Sequence, residues 1–268
     1  MPSRFVFGLP PSAGDALQKS DELKSVLGEL GFKTFQSART YGDLIRDLLV
    51  GRVHAAWATP AICAQVGNSG GRTVLRAIKD GRATYRSVLF ALASRKLDLT
   101  LLKGLRAVWS DAQSLSGYML PRTLLFARDM NPITLFSKET FLGSFEACVD
   151  AVLERRGDVS ATEAPAEGST GRVDTFVQIA GPRAGELAPL VYTPECPFGG
   201  IVLSPKLPTG SRRVVESGFL QLVKDTALLK VASSALGVDG FEVPPAGAYE
   251  RLWQFLRSSP QEKLGIIL

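Results

Sequence analysis

Ser114, Ser116, Gly117 and Tyr118 stand just after an apolar run and at the head of a helix-like one. The first turn of a helix suits one kind of chemistry: it places free backbone N–H groups at a possible cleft, where an anion can bind. The helix dipole adds partial positive charge at the same point. Thr40-Tyr41 and Thr59-Pro60 are two further helix starts of this type. The same residues also serve as plain helix caps, and Tyr118 as core packing, so residue types alone leave both roles open.

Catalytic readings find less support. His54 is the single histidine and lies inside a strand-like run, which suits a structural role better than general-base or metal work. Cys63, Cys148 and Cys196 are far apart with no C-x-x-C spacing, which argues against a zinc site and a disulfide framework and for buried thiols. The chain has no G-x-S-x-G elbow and no P-loop. Asp111 and Glu163 fall at strand ends, where solvated or capping carboxylates are the ordinary case. No catalytic residue, metal or cofactor is expected.

These residues must be held by a chain of 268 residues, enough for one two-lobed domain or two small ones. With 45% hydrophobic and 21% charged residues the composition is globular. The net charge of +5 comes from scattered residues (Arg52, Arg72, Arg76, Lys79, Arg82, Arg86), so no nucleic-acid partner is expected. The longest apolar runs, such as Val88 to Ala93, are strand-sized and far below the ~20 residues of a membrane span, so no membrane insertion is expected either.

Strand-like and helix-like patterns alternate, which predicts an α/β fold. Strands are expected at Arg4 to Leu9, Lys33 to Ser37, Val53 to Ala58, Thr73 to Ile78, Ser87 to Ser94, Arg106 to Ser110, Ile133 to Phe136, Asp158 to Thr162, Leu190 to Tyr192 and Ile201 to Ser204. Helices are expected from Leu17 to Leu30, after Thr40 up to Gly51, after Thr59, from Gly117 to Arg128, from Ser144 to Arg156, and over most of the chain after Ser211. Ala164 to Gly171, small and polar, reads as a surface loop. The series splits into two lobes: residues 1–94, residues 95–191, and a return to the first lobe over 192–268. Ligands in such folds bind where strands end and helices begin.

Five segments in register resemble the phosphonate-type substrate-binding proteins of ABC transporters. They are Tyr41-Gly-Asp-Leu-Ile with Gly51-Arg-Val-His-Ala-Ala-Trp-Ala-Thr-Pro60, Thr84-Tyr85-Arg-Ser-Val-Leu, Gly104 to Arg122, Phe141-Leu-Gly-Ser-Phe-Glu-Ala-Cys-Val149, and Tyr192-Thr-Pro-Glu-Cys-Pro-Phe-Gly-Gly-Ile-Val-Leu203. The resemblance spans roughly residues 4–210. It implies a two-lobed type 2 periplasmic-binding-protein fold, each lobe a mixed sheet flanked by helices, that captures a small-molecule ligand between its lobes by hinge closure. It also implies an ABC permease as partner, and a monomer is the expected state. Ser114, Ser116, Gly117 and Tyr118 carry over as ligand-binding residues, with Tyr41 and Tyr85 expected to cover the ligand from the first lobe.

Departures from the family pattern are equally specific. Leu115 stands at the middle threonine of the family's serine-threonine-serine turn, and Phe145 at its ligand-binding histidine. Its acidic residue falls at Gly199 or Gly200. A less charged or more apolar ligand, stacked on Phe145, Tyr85 or Trp57 and reached by Thr59, is therefore expected. A ligand-sensing module and a lyase- or dehydratase-type enzyme on the same fold are the alternatives. No signal-peptide pattern precedes Phe5. The expected compartment is the periplasm if a leader was removed ahead of Met1, and the cytoplasm if Met1 is the native start.

Overall fold

A computed structural model describes residues 5–11, 13 and 20–258. Met1 to Arg4 and the expected helix start at Leu17 lie outside them. Among the described residues the chain divides into two units, one running to Ala83 and resuming over Pro197–Trp253, the other comprising Thr84–Cys196 and residues 254–258.

The first unit opens with β1 (Phe5–Leu9), α1 (Asp21–Glu29), β2 (Phe32–Ser37), α2 (Tyr41–Val50), β3 (Ala55–Ala58), α3 (Pro60–Asn68) and β4 (Arg72–Ile78). Its helices start where hydroxyl residues permit a cap. Ser20 Oγ accepts from Leu23 N at 3.3 Å, and Thr40 Oγ1 accepts from Asp43 N at 3.0 Å. Thr59 occupies the cap position of α3, but its hydroxyl makes no cap bond; Pro60, with φ preset for the first turn, starts this helix. Gly51 ends α2 in the left-handed region at φ +82°, which a side chain would resist.

The second unit holds β5 (Thr84–Leu92), β6 (Arg106–Trp109), α4 (Leu120–Phe126), α5 (Pro132–Leu135), β7 (Lys138–Phe141), α6 (Phe145–Leu153), β8 (Val159–Pro165), α7 (Thr175–Ala180), β9 (Leu187–Tyr192) and β10 (Cys196–Pro197). The chain then forms β11 (Gly200–Leu203), α8 (Thr209–Lys224), α9 (Thr226–Leu236), β12 (Gly240–Glu242) and α10 (Ala248–Arg257).

Each unit is built on a mixed sheet. The first has the order β12-β4-β11-β3-β1-β2, with β1 parallel to β2 and β3, and β11 antiparallel to β3 and β4. The second has the order β10-β5-β8-β6-β7, with β9 also on β5; β6 runs parallel to β7 and β8, and β5 antiparallel to β8. Helices α6 and α7 bury Cys148, Val149, Val152 and Phe176 against Val88, Phe90 and Leu92 of β5.

Three expectations change. Ile133 to Phe136 does not form a strand: Asn131 accepts from Ile133 N at 3.1 Å and Pro132 follows as the first helical residue, so the segment turns helically and the strand comes later, at Lys138–Phe141. Ala164 and Pro165 extend β8 and are not loop, because they pair with Arg86 and Tyr85. Finally, the units divide at Thr84, earlier than the boundary expected after residue 94, since all of β5 pairs within the second sheet. Tyr85 thus belongs to the second unit. The return to the first unit begins at Pro197, not 192, and extends to Trp253.

Candidate functional site

In the second unit, β6 ends at the buried Trp109 and hands the chain to Ser110 and Asp111. Asp111, exposed, accepts through Oδ1 from Gln113 N at 2.6 Å, closing a turn ahead of the cap at Ser114. Ser114 Oγ then accepts from Gly117 N at 3.0 Å. Leu115–Met119 make a single π-type turn before α4, and all five residues are buried. Its wider, five-residue bonding, with Met119 N on Ser114 O at 3.1 Å, is a departure from α-geometry that proteins concentrate at functional positions.

Gly117 is the centre of this turn. A methyl group on its Cα would overlap Ser110 Oγ and come within 2.8 Å of both Phe145 Cε1 and Ser114 Oγ. Two hydroxyls and the edge of an aromatic ring therefore meet over one bare Cα. Ser110 is 6% exposed, and its hydroxyl has no partner among the described residues. Leaving such a group unsatisfied costs about 1–3 kcal/mol, so a ligand that accepts from it gains correspondingly. Ser114 has accepted the Gly117 N–H, and its own O–H is available to donate. Phe145 owes its place to Ser144, whose Oγ caps α6 by accepting from Ala147 N at 3.1 Å.

The turn rests on a buried network. The Tyr118 ring packs edge-on against Trp109 (5.7 Å, 71°) and Phe141 (5.1 Å, 67°), with the Arg122 guanidinium 4.9 Å from its centre. Desolvation raises the Tyr118 phenol above its ordinary pKa. Trp109 Nε1 donates to Glu139 Oε2 at 2.7 Å, and Glu139 also pairs with Arg122, which is 2% exposed. Tyr118 thus anchors the turn by packing. The Ser116 carbonyl accepts from Ser87 Oγ at 2.5 Å, fixing the turn to β5. Glu163 is the register partner of Ser87 and shares its sheet face. Tyr85 is 5% exposed and hydrogen-bonds the Cys196 thiol.

Of the sequence-derived residues, Ser114, Ser116, Gly117, Tyr118 and Phe145 are gathered in this one place. Leu115, 8% exposed, lies in the same turn. Ser110 was missed: it reads as the end of a strand, and only tertiary packing sets its hydroxyl over Gly117. Tyr41, Trp57 and Thr59 belong to the first unit. Tyr41 opens α2, Thr59 precedes α3, and Trp57 packs edge-on against Phe241 at 6.0 Å.

The remaining polar candidates are structural. His54 Nδ1 accepts from Val6 N at 3.1 Å, and burial lowers its pKa. Burial pushes the Cys63 thiol up to about 12 and Cys148 to about 11, so both stay protonated and inert at neutral pH. Gly199 and Gly200 have no room for side chains: a methyl group at either would run into the backbone carbonyl of Ala58 or Leu75.

Residues 20–249 match the sequence profile described as ABC transporter, phosphonate, periplasmic substrate-binding protein. Among solved structures, the chain is similar to XAC2383 from Xanthomonas citri bound to ATP, with a TM-score of 0.76 and 17% identity over 96% of this chain and 98% of that one. PhnD1 from Prochlorococcus marinus in complex with methylphosphonate has a TM-score of 0.65 and 19% identity over 96% and 98%. A binding protein component of an ABC phosphonate transporter from Pseudomonas aeruginosa, PA3383, has a TM-score of 0.64 and 20% identity over 94% and 84%. These likenesses give the type 2 periplasmic-binding-protein fold that the two mixed sheets embody. The chain belongs to the phosphonate-type periplasmic substrate-binding protein family of ABC transporters.

Proposed function

We propose that this chain captures a phosphonate-class oxyanion with an apolar substituent and presents it to an ABC permease on the periplasmic side of a membrane. The observation that carries the reading is the convergence over Gly117 of Ser110 Oγ, Ser114 Oγ and the Phe145 ring. In this reading the hydroxyls of Ser110, Ser114 and Ser116 donate to the anion, while Leu115 and Phe145 meet its carbon side. Tyr41, Trp57 and Thr59 come to the ligand from the first unit on hinge closure, and Tyr118 and Tyr85 hold the second unit's residues in place. The methylphosphonate complex of PhnD1 supports the ligand class.

Replacing the family's threonine and histidine by Leu115 and Phe145 removes two polar contacts, each worth about 1–3 kcal/mol. Ser110 replaces one of them. Those losses fall on the anion that all phosphonates share, whereas glycine at 199 or 200 leaves an amine without its acidic partner. At about 1.4 kcal/mol per decade, an aminophosphonate should therefore bind more weakly than an alkylphosphonate by a decade or more. A thermal-shift panel tests this with phosphate, phosphite, methyl- and longer alkylphosphonates, aminophosphonates, sulfonates, carboxylates and ATP. A ligand at 100 times its Kd adds about 2.7 kcal/mol, a clear rise in melting temperature. The largest rise is expected with alkylphosphonates. A response confined to carboxylates, or none at all from folded protein, overturns the reading.

A further inference from the structure

The second unit holds a cavity of about 330 Å³, lined by Arg86, Ser169, Arg172, Asp174 and Tyr192 among others. It lies on the opposite face of β5 from the serine turn. Side chains along a strand alternate between faces. Ser87 reaches the turn through the Ser116 carbonyl, whereas Val88, Phe90 and Leu92 pack with α6 and α7. Arg86 is in phase with the latter set.

The groups around this cavity are pre-set for an anion. Arg86 Nε donates to the Pro165 carbonyl at 3.0 Å, and its guanidinium lies 4.4 Å over the Tyr192 ring. These two contacts fix the plane of the guanidinium, and its terminal amino groups have no partner among the described residues. Arg172 brings a second guanidinium to the same lining. The lining's carboxylate, Asp174, is engaged by Tyr192, whose O–H donates to Oδ2 at 2.7 Å. Ser169 Oγ is buried and has no partner among the described residues. A rigid guanidinium fork, a second cation and an unsatisfied hydroxyl match a tetrahedral oxyanion, which accepts several hydrogen bonds at once.

We infer that this cavity is a second binding site, separate from the serine turn, for a small tetrahedral oxyanion of the phosphate or sulfate class. It does not depend on the function proposed for the serine turn. Equilibrium dialysis and calorimetry with inorganic phosphate at low ionic strength test it. The experiment compares the unaltered protein, Ser114→Ala/Ser116→Ala, and both again with Arg86→Gln. The double serine variant should still bind one phosphate per chain, and adding Arg86→Gln should weaken that binding at least tenfold. Arg172→Gln, at an exposed position, should weaken it several-fold. Arg86→Gln alone should leave alkylphosphonate affinity unchanged. Failure of the double serine variant to bind phosphate overturns the proposal, as does phosphate affinity that is indifferent to both arginine changes in proteins with unchanged melting temperatures.

Discussion

The two units use hydroxyl residues at helix starts in different ways. In the first, the hydroxyls stand singly. Thr40 Oγ1 accepts from Asp43 N and donates to Asp43 Oδ2 at 2.9 Å, so the cap closes on itself. Thr59 stands apart at the next helix, beside a proline that offers no N–H. In the second, Ser110 and Ser114 meet over one glycine, with Ser110 unpartnered among the described residues and Ser114 engaged only as an acceptor. On the proposed function, a helix start becomes an anion grip when tertiary structure gathers donors that the protein itself leaves unused. The dipole is common to both units and cannot by itself make the difference.

A pair of alanine substitutions tests that contrast most severely. Gly117→Ala drives a methyl group into Ser110 Oγ; it should reduce anion affinity at least a hundredfold in calorimetry and cost about 1–3 kcal/mol of stability through overpacking. Gly42→Ala, whose added methyl group would lie 3.7 Å from Thr40 Oγ1, should keep full affinity and stabilise α2 by up to about 1 kcal/mol. Equal losses of affinity from both would erase the distinction. Next in size, Ser114→Ala/Ser116→Ala should weaken alkylphosphonate binding by some tens of fold, about 2 kcal/mol, whereas Thr40→Ala should cost about 1 kcal/mol of stability with affinity intact. Unchanged affinity in the serine variant would move the ligand elsewhere.

Ser110→Ala is a finer probe. It should weaken binding about tenfold yet leave the melting temperature level or slightly higher, because it deletes a buried hydroxyl that lacks a partner. A marked loss of stability would make Ser110 structural instead. Phe145→His should raise phosphonate affinity a few-fold, most at acid pH where the imidazole is charged. No gain would discredit Phe145 as the source of the altered preference.

The smallest effect separates the units by pH. Asp158, in the second unit, is held down to about 2 by hydrogen bonds from Arg106, with Arg95 adding to the effect. Because its folded pKa is depressed, its contribution is present above the ordinary carboxylate range and is lost as pH falls from about 4 toward 2. His54, in the first unit, is depressed by burial: it stays neutral when folded, and the unfolded chain takes up the proton first. Its penalty therefore begins as pH drops below 6.5, its ordinary value. Melting curves against pH should show a shallow early decline removed by His54→Gln and a later one flattened by Asp158→Asn. A single decline unaffected by either substitution contradicts the assignment.

The alternation of strands and helices was legible because periodicity and capping residues are local. The segment after Asn131 shows where local reading stops: Ile133 to Phe136 has strand composition, but Asn131-Pro132 begins a helical turn. The unit boundary was missed for a different reason. The sheet that β5 joins is decided by partners some 70 to 100 residues further along, such as Ala161 and Val191 on Leu89. The serine turn was visible as a motif, whereas Ser110 acquires its character only from what surrounds it. Phe145 was marked by family resemblance, and its contact with Gly117 could not be read from spacing.

Gly199 and Gly200 limit which substitutions this backbone can accept. Where the family resemblance implies an acid, this backbone passes so near Ala58 and Leu75 that an added Cβ collides with a carbonyl. A carboxylate cannot enter there by a single codon change, because neighbouring strands would have to separate first. On the function proposed for this chain, substitutions at Leu115 or Phe145 can adjust the ligand's character far more easily than a carboxylate can be introduced at 199 or 200.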